Sequence, residues 1–152
     1  MSDFKTQLKD TRNVDKDTAI SIVLSEFNEE YTNKLLQENL DFLHGKWFNN
    51  ISVYRVPWAF EIPWFAARIL EKNNSDLIIT LWVVVRWETT HYESVAFESG
   101  RWIMELSTRN NTPIIFWVLT CENYDQVEQR IGTSASISGL NLLSEVKRLE
   151  NV

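Results

Sequence analysis

One histidine of this chain stands where an apolar run gives way to a polar turn. Across Leu81 to His91, LWVVVRWETTH, an unbroken β-branched stretch ends in charged and hydroxyl-bearing residues that deliver an imidazole. Imidazole titrates near neutral pH, so His91 can give and take a proton under physiological conditions. The turn before it aims backbone N–H groups and the start of a helix at one point, an arrangement that suits an anion. Proton transfer beside phosphate capture is the chemistry these residue types predict. Taken without its surroundings, a histidine such as His91 is most often a half-exposed capping residue.

Two further runs share this form. VPWAFEIP, Val56 to Pro63, follows a strand-like Ile51 to Val56 and brackets Ala59, Phe60 and Glu61 with prolines. Proline fixes φ and removes a donor, so the remaining backbone groups of this turn have set directions and can read a planar polar ligand. SEFN, Ser25 to Asn28, ends another apolar run, and Glu29 and Glu30 supply the acids that favour a first helical turn. Phe27 is expected at the strand end, either exposed to a ligand or packed on its own helix.

The elements that must position these residues follow from periodicity. Strands are predicted near Ile20 to Leu24, Ile51 to Val56, Leu77 to Val85 and Ile114 to Leu119. Helices are predicted near Glu29 to Leu43, Ile62 to Lys72, Tyr92 to Arg109, Tyr124 to Ile131 and Gly139 to Glu150. Leu35, Leu36, Leu40 and Leu43 recur at helical spacing, which gives the first helix a buried stripe. Alternation of this kind means a parallel sheet covered by helices. Right-handed crossovers then bring the strand-end motifs to one edge, where ligands of such sheets bind. Residues 1–17 are polar and mixed in charge and read as a mobile tail, with one domain over residues 18–152.

Composition excludes several classes. A net charge of −6 argues against nucleic acid as partner, since phosphate backbones require clustered Lys and Arg. A single cysteine excludes an internal disulfide. No apolar run approaches the ~20 residues of a membrane span, so a cytoplasmic protein is the default expectation.

Four motifs, SEFN, VPWAFEIP, VVVRWETTH and PIIFWVLT (Pro113 to Thr120), resemble in order and spacing those of the lumazine synthase family, and the likeness runs from about Ile20 to Leu149. The resemblance implies an α/β, three-layer, flavodoxin-like fold with a four-stranded parallel sheet flanked by helices. It implies condensation of 5-amino-6-ribitylaminouracil with 3,4-dihydroxy-2-butanone 4-phosphate to 6,7-dimethyl-8-ribityllumazine, phosphate and water, without metal or organic cofactor. By the same resemblance Phe27 stacks on the pyrimidine, Ala59, Phe60 and Glu61 hold the ribityl chain and ring edge, and backbone at Val83, Val84 and Val85 completes the pocket. Glu88 and Thr89 form the phosphate turn, His91 moves protons and Arg130 pairs with the phosphate. Phe116 reaches the site of a neighbouring copy in a pentamer, which in some members assembles into icosahedral shells. Each of these has a plainer reading: Glu61 as a first-turn acid, Glu88 as a solvated loop residue, Arg130 as a helix-end cation, Phe116 as core.

The chain departs from the family in two ways. Trp58, Trp82, Trp87 and Trp117 stand where the motifs carry glycine, and Trp102 where glycine is common; Trp47 and Trp64 are less diagnostic. The chain has 4 glycines and 7 tryptophans. Together they make up the roughly 7% usual for glycine alone. The pattern fits UGA codons that mean glycine being translated as tryptophan; the alternative is genuine substitution with a rearranged pocket. Taken literally, so many indoles at glycine positions should threaten folding. Secondly, RIGTSASISGLN, Arg130 to Asn141, has Ser134 and Ser138 where the family has lysines and Asn141 where it has an acid, which a recoded stop does not explain. Those three residues leave open a non-catalytic lumazine- or flavin-binding or shell-forming paralogue, against which the retained His91 argues.

Overall fold

The computed structural model describes residues 6–86 and 91–152, the side chains of His91 and Tyr92 excepted. Trp87, Glu88, Thr89 and Thr90 lie outside the described residues. The order is β1 (Ile20–Ser25), α1 (Glu29–Gly45), β2 (Ile51–Val56), α2 (Glu61–Lys72), β3 (Leu77–Val85), α3 (His91–Arg109), β4 (Ile114–Cys121), α4 (Tyr124–Arg130) and α5 (Ser134–Glu150). The strands form one parallel sheet in the order β2-β1-β3-β4. No helix among the described residues is long and apolar enough to cross a membrane.

Residue alternation along β3 builds the three layers, because successive side chains of a strand point to opposite faces. Leu77, Ile79, Leu81 and Val83 join Leu35, Leu43, Val127 and Leu140, the core beneath α1, α4 and α5. Ile78, Trp82 and Val84 join Ile62, Ala66, Ile69 and Ile103, the core beneath α2 and α3. Every residue of β3 is buried, as an unbroken apolar strand between two helical layers requires. Gly139 lets α5 approach this strand closely: a Cβ there would stand 2.7 Å from Leu77 Cδ2.

Two features differ from the sequence expectation. The first is α5, which starts at Ser134 rather than Gly139. Serines are indifferent helix formers, and Thr133 makes no side-chain cap. The missing cap comes from α1. Fully buried Asn39 accepts from Ser136 N (3.0 Å) and from Ser136 Oγ (2.7 Å) and donates to Leu35 O (2.8 Å) and Gly132 O (3.1 Å). One amide thus satisfies an orphan first-turn N–H of α5 and fixes the loop after α4.

The second is the amino-terminal segment, expected to be mobile. Its described part is docked along α5: Val14 is buried in the core, Lys9 N donates to Asn141 Oδ1 (2.9 Å), Asn141 Nδ2 donates to Gln7 O (2.8 Å), and Ser144 Oγ donates to Asp10 O (3.0 Å). Polar composition concealed this, since the docking rests on two apolar anchors, Leu8 and Val14, and on backbone bonds.

The tryptophans are accommodated more easily than their number predicts. Trp47, Trp58, Trp64 and Trp102 project from turns and helix faces into solvent, and Trp117 is half-buried. Among the described residues Trp82 is the one buried tryptophan, and its indole Nε1 lacks a hydrogen-bond partner there. Trp47 carries the clearest backbone signature of glycine, with φ 69° in the turn after α1 and 74% exposure. A β-carbon is strained there and the indole contributes little packing in return.

Two outcomes are expected in urea unfolding. Asn39→Ala lowers stability by about 2 to 4 kcal/mol, because it strands buried partners as well as removing their bonds; a loss below about 1 kcal/mol would contradict the capping role. Trp47→Gly raises stability by about 1 kcal/mol through relief of the left-handed backbone, and a lower midpoint would show that the indole contributes packing instead.

Candidate active site

The carboxyl ends of all four strands lie on one edge, and the loops leaving them carry most of the residues singled out from sequence. Ser25 ends β1 and Glu26 N donates to Val56 O at the end of β2 (2.8 Å), which ties the SEFN turn to the VPWAFEIP turn. Buried Ser25 accepts from Phe27 N through Oγ (3.1 Å). Phe27 is half-buried and packs against Trp58, ring centroids 5.2 Å apart and planes inclined at 32°. The indole therefore covers ground beside the ring expected to stack on a pyrimidine.

In the second turn Ala59 is buried and Phe60 is half exposed. Glu61 accepts from Trp58 N through Oε2 at 2.8 Å, so the carboxylate both opens α2 and braces its own turn. One oxygen is thereby engaged; the plainer reading of Glu61 as a first-turn acid is true of its local geometry. Beside these turns Val83, Val84 and Val85 bring buried side chains and strand backbone to the edge.

Arg130 closes α4 as the sequence indicates. Its Nη1 donates to Thr120 O (3.2 Å) and approaches Cys121 Sγ (3.7 Å), which leaves the rest of an exposed guanidinium for an anion. Among the described residues no carboxylate pairs with it. Burial pushes the Cys121 thiol up, and the Arg130 charge offsets this only in part. A thiol so held is protonated at neutral pH and a poor nucleophile. Arg86, at the start of the β3–α3 connection, is engaged with Glu122 (3.3 Å) and Glu93 (4.0 Å).

Not all candidates come together in one chain. Phe116 is the third residue of β4 and pairs in register with Thr80, five residues short of the strand's end at Cys121. That places it roughly 16 Å back along the strand, at ~3.3 Å per residue, with its ring beside Gly100 of α3. Glu88 and Thr89 lie outside the described residues, and of His91 only the backbone, the first residue of α3, is described. Asn141, which stands where the family has an acid, uses both ends of its amide on Gln7 and Lys9.

Sequence reasoning missed Asn28, whose left-handed backbone (φ 58°, ψ 43°) and bond from Nδ2 to Val83 O (2.8 Å) join the β1–α1 turn to β3. An asparagine in the turn between a strand end and a helix start was the available signal, as Asn tolerates that conformation better than most residues. It also missed an apolar cleft of about 320 Å³ between α2 and α3, lined by Phe60, Pro63, Trp64, Trp102 and Leu106 among others.

Comparison with known proteins agrees with this geometry. The profile of the family described as 6,7-dimethyl-8-ribityllumazine synthase matches residues 17–149. A protein named 6,7-dimethyl-8-ribityllumazine synthase from Limosilactobacillus reuteri (strain DSM 20016) is 38% identical over 120 residues, covering 79% of this chain and 79% of that protein. The strand-end motifs, the parallel sheet that aligns them and the match over most of the chain place it in the 6,7-dimethyl-8-ribityllumazine synthase family.

Proposed function

We propose that this chain condenses 5-amino-6-ribitylaminouracil with 3,4-dihydroxy-2-butanone 4-phosphate to form 6,7-dimethyl-8-ribityllumazine, in a cleft that two adjoining copies share. The observation that carries the reading is the convergence of Phe27, Ala59 to Glu61 and Val83 to Val85 on one sheet edge, in a chain of this family. Phe27 offers its ring to the pyrimidine, the second turn holds the ribityl chain, and β3 backbone reads the ring edge.

The chemistry asks little covalent work of the protein. The substrate amine is itself the nucleophile toward a ketone, so neither a serine nor Cys121 need attack. Holding the two reactants together removes an entropic barrier worth ~7 to 11 kcal/mol at ideal orientation. His91 transfers protons during imine formation and phosphate loss, a contribution of about 10² to 10⁴ in rate. Arg130, with Glu88 and Thr89 of the segment that precedes α3 in sequence, receives the phosphate, and a charged donor strengthens that hold as the leaving anion develops.

The shared cleft answers two observations. Phe116 is far from its own chain's strand ends but lies partly exposed on the edge strand of the sheet, available to a neighbour. Trp64, Phe97, Trp102 and Met104 on α2 and α3, with Phe60 just ahead of α2, expose large apolar surface, more than a lone subunit ordinarily shows. A cyclic pentamer covers this face. Trp58, Trp64 and Trp102 stand on it or beside the Phe27 ring, so glycine at these positions would open both interface and pocket. On this reading the functional chain carries glycine at the tryptophan positions and works in the cytoplasm.

Two measurements check the assignment. Mixed with both substrates, the protein should generate lumazine fluorescence, and His91→Ala should slow it by about 10² to 10⁴; an undiminished rate would remove His91 from the mechanism. Ser138→Lys should lower the Michaelis constant for the ketone phosphate about threefold or more, by restoring the point charge that the family places near the phosphate. No change in that constant would sink the charge argument.

A further inference from the structure

The pairing of β1 with β3 runs from Ile20↔Leu77 to Leu24↔Leu81, yet β3 continues to Val85. Leu77 N donates to Ala19 O on the β1 side, whereas Ile78 N donates to Pro113 O and Arg86 N to Cys121 O on the β4 side. In a parallel ladder the two sides alternate by residue, so Val83 and Val85 turn their N–H and C=O groups toward β1. Continued one step, the ladder would give the Val83 carbonyl to Phe27 N. That N–H donates instead to Ser25 Oγ at 3.1 Å, and Asn28 Nδ2 takes its place at 2.8 Å from the carbonyl.

We propose that Asn28 is a positioning residue whose side-chain amide continues the β1–β3 ladder past the end of β1, holding the Phe27 turn against Val83 and leaving the Val85 backbone pair to read the ligand. The inference rests on the substrate assignment given under Proposed function.

Three details support a dedicated role. Asn28 has a left-handed backbone at φ 58°, ψ 43°, which aims its side chain back across the sheet edge, and it makes no side-chain cap to α1. Capping is the ordinary use of Asn at a helix start, and here the amide is directed elsewhere. Its carbonyl also accepts a long bond from Tyr124 Oη (3.5 Å), and that ring stacks on Tyr31 (4.9 Å, 16°), which sets which end of the amide faces Val83. The main-chain carbonyl of Asn28 meanwhile accepts from Tyr31 N and Thr32 N, both at 3.0 Å, so the residue starts α1 through its backbone and spans to β3 through its side chain. Val85, next on the same edge, is in register with Cys121 of β4 but among the described residues has no β1 residue opposite it, so its β1-facing donor and acceptor are directed at a planar amide edge.

Asn28→Gly isolates the amide, since glycine adopts the left-handed conformation without strain. The dissociation constant for 6,7-dimethyl-8-ribityllumazine, read by fluorescence, should rise roughly five- to tenfold, the worth of one neutral hydrogen bond. The Michaelis constant for the aminopyrimidine should rise with it, while that for the ketone phosphate stays within about twofold. Asn28→Asp should weaken pyrimidine binding at least as much, because a carboxylate cannot donate to the Val83 carbonyl. Equal loss for both substrates, or none, would overturn the proposal. In the unliganded protein, amide hydrogen exchange at residues 26–29 and 83–86 should accelerate in Asn28→Gly and stay unchanged in α5; unaltered exchange at the first two segments would overturn it independently of any activity. A parent chain that binds no lumazine would instead refute the substrate assignment, with the exchange result still deciding the role of Asn28.

Discussion

A strand in a parallel sheet can be paired only as far as its neighbour runs, and β3 continues four residues past its last pair with β1, Leu24↔Leu81, to Val85. Everything at the candidate site depends on this mismatch. Side chains of the overhang remain buried between the helical layers, so the strand stays rigid, while its backbone on the β1 side is left without a ladder. Rigid, directed amide groups at a water-excluded edge are what recognition of a flat heterocycle requires. The turns after β1 and β2 converge on this overhang because Glu26 N is fastened to Val56 O. Geometry of the backbone, more than any single reactive side chain, defines the site, as befits a condensation in which the substrate amine is the nucleophile.

The same view explains why the tryptophans bear on function more than on folding. Overpacking is costly where an interior must rearrange, and most of these indoles stand at turns or on helix faces. Among the described residues Trp82 is the exception, with a buried N–H that has no partner there, and Trp47 carries backbone strain instead. Trp58, beside Phe27, and Trp64 and Trp102, in the cleft between α2 and α3, lie where a ligand or a neighbouring copy would come closest. Read as glycine, these positions restore close approach; read literally, they fill it.

Much of the fold was legible in the sequence because its signals are local. A nine-residue, largely apolar run rich in β-branched residues has one good home, between two layers of helices, and β3 occupies it from Leu77 to Val85. The period of Leu35, Leu36, Leu40 and Leu43 likewise marked the inner face of α1. What sequence concealed depends on distant partners. The start of α5 is capped from Asn39, 97 residues away, so its serines alone could not reveal it. Docking of the amino-terminal segment depends on Asn141 and Ser144, more than 130 residues further on. Asn28 looked like an ordinary helix-start residue, since the ladder it completes exists only once β1 and β3 are aligned. Family motifs singled out Phe27, Glu61 and Arg130 as candidates, yet gave no sign that Glu61 braces its own turn or that Arg130 rests on the Thr120 carbonyl.

The most direct test of the shared cleft is subunit complementation. His91→Ala and Phe116→Ala variants, each inactive or nearly so alone, are unfolded together, co-refolded at equal ratio and assayed for lumazine formation. If one copy supplies His91 and the next supplies Phe116, random assembly leaves about a quarter of the clefts intact, and a comparable share of the parent's activity should return. Activity no higher than that of the two variants assayed separately would contradict a site built across copies.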